Sequence, residues 1–135
     1  MIDIAGKDFS ARRAKVWPNV RRSHLEVHDQ GSDWAEVTEG GSGPAHFIRE
    51  RSRYEWATAG TVTSTVDSNA FLPGTTFELR ADPDGAGSVV VMVLDRKFRT
   101  SGWGTIGYGL NRIFGERGFG FMLRQALKGV ERRAR

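Results

Sequence analysis

The chain has 135 residues, 39% of them hydrophobic and 27% charged, the size and balance of one globular domain, 1–135, that buries a core without staples. It contains no cysteine, which excludes disulfides, thiolate nucleophiles and cysteine-ligated zinc. No run approaches the ~18 apolar residues of a membrane span.

The formal charge of +4 comes largely from Arg12, Arg13 and Lys15 with Arg21 and Arg22, and from Arg132, Arg133 and Arg135. No groove-reading or aromatic-interleaved motif accompanies these clusters, so they read as solvated arginines and no nucleic-acid partner is expected. Met1-Ile2-Asp3-Ile4 lacks the basic start and apolar run of a signal peptide. The expected location is therefore cytoplasmic.

In chain order, residues 2–10 suit a short first strand. Ala11-Arg12-Arg13-Ala14-Lys15-Val16-Trp17 then reads as a short helix. Ser10 is its expected N-cap, Ala14, Val16 and Trp17 its apolar face, and Pro18 its stop. Leu25 and Val27 alternate with polar neighbours, as do Ala35 and Val37, and Asp29-Gln30-Gly31-Ser32-Asp33 between them has hairpin composition. After the loop Glu39-Gly40-Gly41-Ser42-Gly43-Pro44, residues 45–57 form a long charged strand. Its faces are Phe47, Arg49, Arg51, Arg53 and Glu55 on one side, and His46, Ile48, Glu50, Ser52, Tyr54 and Trp56 on the other. Ala59-Gly60 turns the chain into 61–66, a β-branched run of period two.

Residues 67–74, with Asp67, Asn69, Phe71 and Leu72, read as a loop. Residues 75–81 alternate again, Phe77 and Leu79 sharing a face, and Pro83-Asp84-Gly85 is a turn. The last strand is 88–94, continued by 95–99. It is apolar on both faces, whereas a half-exposed antiparallel strand alternates. Its second face needs a cover: the N-terminal helix, or another subunit, which would make a homodimer.

The period then changes. Phe119, Met122, Leu123, Ala126, Leu127 and Val130 fall on one helical face. Ile106, Leu110, Ile113 and Phe114 suggest an earlier helical stretch, with Gly115 and Gly118 as points of kink or interruption. The expected order is a strand, a short helix, about six hairpin-connected strands and a long helix.

Several stretches resemble the polyketide cyclase/dehydrase and lipid-transport family of the SRPBCC, START-like helix-grip superfamily, its bacterial members in particular. They are Phe9-Ser10-Ala11-Arg12-Arg13-Ala14-Lys15-Val16-Trp17-Pro18, Arg49-Glu50-Arg51-Ser52-Arg53-Tyr54, Phe71-Leu72-Pro73-Gly74-Thr75, Gly87-Ser88 before an apolar strand, and the closing helix at 127–131. The resemblance implies an α+β helix-grip fold. A curved antiparallel sheet of about six or seven strands wraps on the long C-terminal helix, with a short N-terminal helix. Between sheet and helix it implies a cavity for a hydrophobic small molecule, a lipid or polyketide-like compound. The connection 19–23 is shorter than in family members, where that segment helps close the cavity mouth.

The side chains placed to line such a cavity are Tyr54, Trp56, Phe71, Leu72, Phe77, Met92, Phe114, Phe119, Met122 and Leu123. If chemistry occurs there, as in a polyketide cyclase, aromatase or dehydratase, it needs an acid–base group and a donor that polarises a carbonyl. Tyr54, Asp67, Arg96 and Glu50 have that chemistry. The plainer reading of Glu50 puts it among Arg49, Arg51, Arg53 and Glu55 in ion pairs across an exposed sheet. A third reading is a protein-interaction domain with a reduced cavity, motivated by the short 19–23 connection and the two-sided apolar strand.

No metal or cofactor is expected. His24 and His28 on a strand would stand ~13 Å apart, too far to share an ion. The glycine clusters at 104–109 and 115–120 lack the order and βαβ context of a nucleotide loop. No nucleophile elbow is present.

Overall fold

Period-two alternation dominates the first two thirds of the chain. The computed structural model, which describes residues 6–17, 20–41, 46–56 and 60–134, resolves it into one antiparallel sheet of six strands. They are β1 (Glu26–Gln30), β2 (Trp34–Gly40), β3 (Arg49–Glu55), β4 (Thr61–Ser68), β5 (Thr76–Asp84) and β6 (Gly87–Asp95). Each pairs with the next, so the sheet is an open meander with β1 and β6 at its edges. Helix α1 (Arg13–Val16) and a 3₁₀ turn (Arg22–His24) precede it, and α2 (Trp103–Ala134) follows. The α+β class, the six strands and the long C-terminal helix match the expected layout. Among the described residues no helix is long and apolar enough to cross a membrane.

Several boundaries differ from the sequence reading. Gly6 and Lys7 form a helical turn and 8–9 are irregular, so no strand precedes α1 among the described residues. Residues 2–5 lie outside them, as do Pro18, Asn19, 42–45, 57–59 and Arg135. The N-cap of α1 is Arg12, and Ser10 instead holds the preceding turn: its Oγ accepts from the Arg12 N–H at 3.2 Å. The long strand shrinks to seven residues, while β4 runs on through Asp67 and Ser68. The β5–β6 turn is Gly85-Ala86, one residue late, with Gly85 at φ +54°. Glycine suits the first central position of a tight hairpin turn of this kind. β6 stops at Asp95, beyond which Phe98 makes one isolated bridge to Phe71.

The 32 residues of α2 run without a break past Gly115, Gly118 and Gly120, about 48 Å at ~1.5 Å per residue. Only its last part packs as expected. Ala126 is fully buried with Val16, Trp17, Val20 and Leu79, and Leu123, Leu127 and Val130 close around them. A second core joins Ala35, Val37 and Tyr54 with Phe9, Leu25 and Trp56. Upstream, Ile106, Ile113 and Phe114 are 48%, 70% and 57% exposed, so the earlier apolar stretch of the helix faces solvent. The helix starts tightly folded against the segment that leads into it, because Gly104 leaves room for that backbone. A Cβ there would collide with the Arg99 carbonyl oxygen.

Two helix glycines therefore have opposite roles. At Gly118 a Cβ meets nothing within 4 Å, and alanine there removes the backbone entropy penalty of ~1 kcal/mol. Gly118→Ala should raise the melting temperature by roughly 3–5 °C. Gly104→Ala should lower it by at least as much, because backbone has to move. Calorimetry giving both variants the wild-type midpoint would show that neither position is constrained as described.

Candidate functional site

Side chains on one row of a sheet point the same way, and the row through Tyr54 sets the character of the inner face. Tyr54 pairs with Ala35 on β2 and with Thr63 on β4, and Thr63 pairs with Phe77 on β5. With Tyr54 inside, the threonines of β4 must also turn in. Thr61, Thr63 and Thr65 are 3%, 6% and 3% exposed, while Val62 and Val66 face outward at 38% and 42%. The strand is inverted relative to hydrophobicity, so the sheet interior carries hydroxyls.

Between this face, α1 and α2 lies a partly open cavity of about 190 Å³, below the roughly 300–1,000 Å³ of drug-sized ligand sites. One side is apolar, formed by Phe77, Leu79, Met92, Leu94, Phe119 and Met122, with Trp17, Val20 and Phe71 beside them. The other is polar, formed by Glu50, Ser52, Tyr54, Thr61 and Thr63.

Two charged clusters border it. In the first, Arg13 of α1 is 5% exposed and ion-paired to Glu39 through its Nε. The Tyr54 hydroxyl donates to the other Glu39 oxygen at 2.6 Å. The Arg13 guanidinium also stacks 4.5 Å from the Phe9 ring centre and 4.9 Å from that of Tyr54, geometry in which a cation gains from the ring face. In the second, Arg96 Nη1 donates to both Glu50 oxygens, at 2.9 and 3.1 Å. Thr65 Oγ1 donates to Glu50 at 2.5 Å. The Arg96 guanidinium lies 4.5 Å over the Phe71 ring. Thr63 Oγ1 and Arg96 Nε are buried without a hydrogen-bond partner among the described residues.

Burial pushes the Tyr54 hydroxyl well above its ordinary value of 10; the Glu39 carboxylate adds to the rise and Arg13 opposes it. For Arg13 burial works downward, but Glu39 and Tyr54 outweigh it and hold the guanidinium protonated. Tyr54 is therefore a fixed donor, and both carboxylates are engaged as acceptors. With the Tyr54 proton committed to Glu39, the donors left to engage an oxygen-bearing group are Thr63 Oγ1 and Arg96 Nε.

The structure brings together Tyr54, Glu50, Arg96, Phe71, Phe77, Met92, Phe119 and Met122 around the cavity. Glu50 is thus no member of an exposed ion-pair network; the outer face supplies that network without it, through Arg51–Glu36 at 2.5 Å and Arg53–Glu55 at 3.1 Å. The remaining expected residues lie elsewhere. Asp67, on the outer side of β4, is 78% exposed and 3.7 Å from Arg99. Trp56 packs on Phe9, with Nε1 donating to the Ser32 carbonyl at 3.1 Å. Leu72 and Phe114 are exposed, and Leu123 belongs to the packed core. His24 sits in the 3₁₀ turn, and the His28 ring nitrogen lies 2.6 Å from the Thr38 hydroxyl. Arg13 and Glu39 were missed, Arg13 because it sits in a basic cluster otherwise solvated. No protein-family model, curated protein or solved structure matches the chain at a significant level.

Glu39→Ala removes the carboxylate that pairs with the buried Arg13 charge and should cost about 3–5 kcal/mol in urea unfolding. Tyr54→Phe, which removes one hydrogen bond, should cost about 0.5–3 kcal/mol. A smaller loss for Glu39→Ala than for Tyr54→Phe would show that Arg13 reaches solvent.

Tyr54 also gives stability a pH dependence. Its folded value is raised, so its contribution is complete below pH 10. It declines as the pH rises above 10, where the unfolded chain loses a proton that the folded chain keeps. The slope from this one group is about 1.4 kcal/mol per pH unit. Urea midpoints measured across the alkaline range should fall less steeply for Tyr54→Phe than for wild type, and parallel slopes would contradict a buried, protonated Tyr54.

Proposed function

We propose that the chain binds a small, largely apolar molecule carrying oxygen functions in the cavity between sheet and C-terminal helix. The observation that carries this reading is the division of the cavity into an aromatic and aliphatic wall and a hydroxyl and carboxylate floor. Ligand sites are typically apolar with a few fixed polar groups. Thr63 Oγ1 and Arg96 Nε lack hydrogen-bond partners among the described residues, and a buried polar atom left unpaired costs about 1–3 kcal/mol. A small side-chain adjustment would let a ligand carbonyl, carboxylate or hydroxyl pair with them. The residue resemblance to the polyketide cyclase/dehydrase and lipid-transport family agrees in kind of ligand. The small volume favours a compact ring system, or one end of a longer chain that leaves through the open side.

A second reading is catalysis on a keto-bearing substrate. Glu50, with Arg96 and Thr65, is the acid–base group nearest to that role, and Arg96 Nε, unpartnered among the described residues, is the donor beside it.

Native mass spectrometry of the purified chain, followed by extraction, tests both. The binding reading expects an added mass that extracts as an oxygenated apolar compound. It also expects Met122→Trp, which fills the cavity, to weaken rebinding about tenfold or more, with an unchanged circular dichroism spectrum. Recovery of a chemically altered compound after incubation, lost in Glu50→Gln, would favour catalysis. No bound compound, and no quenching of tryptophan emission by any oxygenated aromatic probe, would remove both.

A further inference from the structure

β6 is an edge of the sheet and is apolar on both faces. Its inner face is covered: Val90 and Met92 pack on the core that includes Val16 and Trp17, and Leu94 lines the cavity. The N-terminal helix is therefore the cover of the inner face. On the outer face Val89 and Val93 remain 48% and 47% exposed. No charged side chain occurs from Gly87 to Leu94. The opposite edge is different, since β1 carries Glu26, His28 and Asp29 and its pairing is irregular between Val27 and Asp29. Charges and bulges are how proteins blunt an edge, and an unblunted one is a template for another strand.

The register of such pairing follows from the hairpin. A two-residue turn is closed by a hydrogen-bonded pair, here Asp84 with Gly87, and such pairs then recur at every second residue. The odd-numbered residues of β6 thus bond to β5. Ser88, Val90, Met92 and Leu94 turn their N–H and C=O groups to the edge that is unpaired among the described residues. In an antiparallel pairing of two copies, all four find partners when Val91 meets Val91 on a twofold axis. Ser88 then faces Leu94 and Val90 faces Met92. A shift to either neighbouring in-phase register pushes one terminal residue off the partner strand, Leu94 onto the turn residue Ala86 or Ser88 onto Arg96. In the centred register Val89 of one copy lies beside Val93 of the other. Asp95, held near Lys97 at 3.9 Å, faces Gly87, so no like charges oppose each other across the seam.

We propose that two copies of this chain join through their β6 edges, antiparallel about Val91, into a symmetric dimer with one continuous sheet. The self-complementary sequence of the strand fits the isologous contact that twofold symmetry requires.

Sedimentation equilibrium on the full chain tests this. Wild type should be dimeric. Val89→Lys changes a half-exposed side chain and should raise the dimer dissociation constant about tenfold or more, with an unchanged thermal midpoint for the dilute monomer. Ser88→Pro should weaken the dimer as well, since that N–H points to the free edge, where proline is tolerated in a monomer. The double variant Val89→Lys with Val93→Glu should recover dimerisation, because opposite charges then face each other only in this register. A wild-type monomer at every concentration would overturn the proposal. So would a dimer insensitive to Val89→Lys and Ser88→Pro, or a double variant no tighter than its weaker parent.

Discussion

Glu39 and Glu50 are cross-strand partners on β2 and β3, and both side chains turn inward, 18% and 16% exposed. Facing like charges on a sheet repel, and a buried carboxylate without a partner is costly. The sheet can hold this pair because each carboxylate has its own arginine. The two arginines flank the sheet in sequence, Arg13 from α1 and Arg96 from just beyond β6. Their requirement draws α1 onto β2 and brings the segment after β6 back towards β3. Aromatic rings complete both contacts, Phe9 and Tyr54 beside Arg13 and Phe71 beneath Arg96. Much of what closes the cavity follows from satisfying two charges that hydrophobic packing alone would never have placed there.

The sequence showed where strands run more clearly than which face they bury. On β3 the alternation separates Glu50, Ser52 and Tyr54 from Arg49, Arg51 and Arg53, and the structure keeps that division. On β4 the same alternation is silent, because threonine and valine are both β-branched and suit a strand equally. Hydrophobicity would turn the valines inward. The register with Tyr54 turns the threonines inward instead, and register is a property of two strands that neither carries alone. Arg13 is illegible for a similar reason: nothing local separates it from Arg12 or Lys15. Its burial depends on a carboxylate 26 residues away.

The C-terminal helix shows the limit of periodicity. The face from Phe119 to Val130 could be read because it packs, and Leu123, Ala126 and Leu127 meet α1 and β5 where expected. The stretch from Ile106 to Phe114 has comparable apolar content, but here the buried positions are glycines, Gly104 and Gly107, and Ile106, Ile113 and Phe114 face solvent. A helical period records which residues share a face; it carries no information on which face the fold buries. Phe119 and Met122 lie at the changeover, which is why they line a cavity instead of filling a core.

On the binding proposed above, this arrangement would tie stability to occupancy. The sheet places hydroxyls and carboxylates where a small domain would ordinarily bury aliphatic surface, so the chain gives up part of its hydrophobic stabilisation to keep a void with polar contacts. Among the described residues the hydrophobic core clusters are small, one around Trp17, Leu79 and Ala126 and one around Val37. A molecule bound only by the folded state adds RT ln(1 + [L]/Kd), about 2.7 kcal/mol at a hundredfold excess over Kd. That is a large share of the 5–15 kcal/mol by which domains are usually stable. The facing glutamates therefore have a consequence beyond local pairing. By preventing the inner face from collapsing into an apolar core, they leave a void that a molecule bound as proposed would fill.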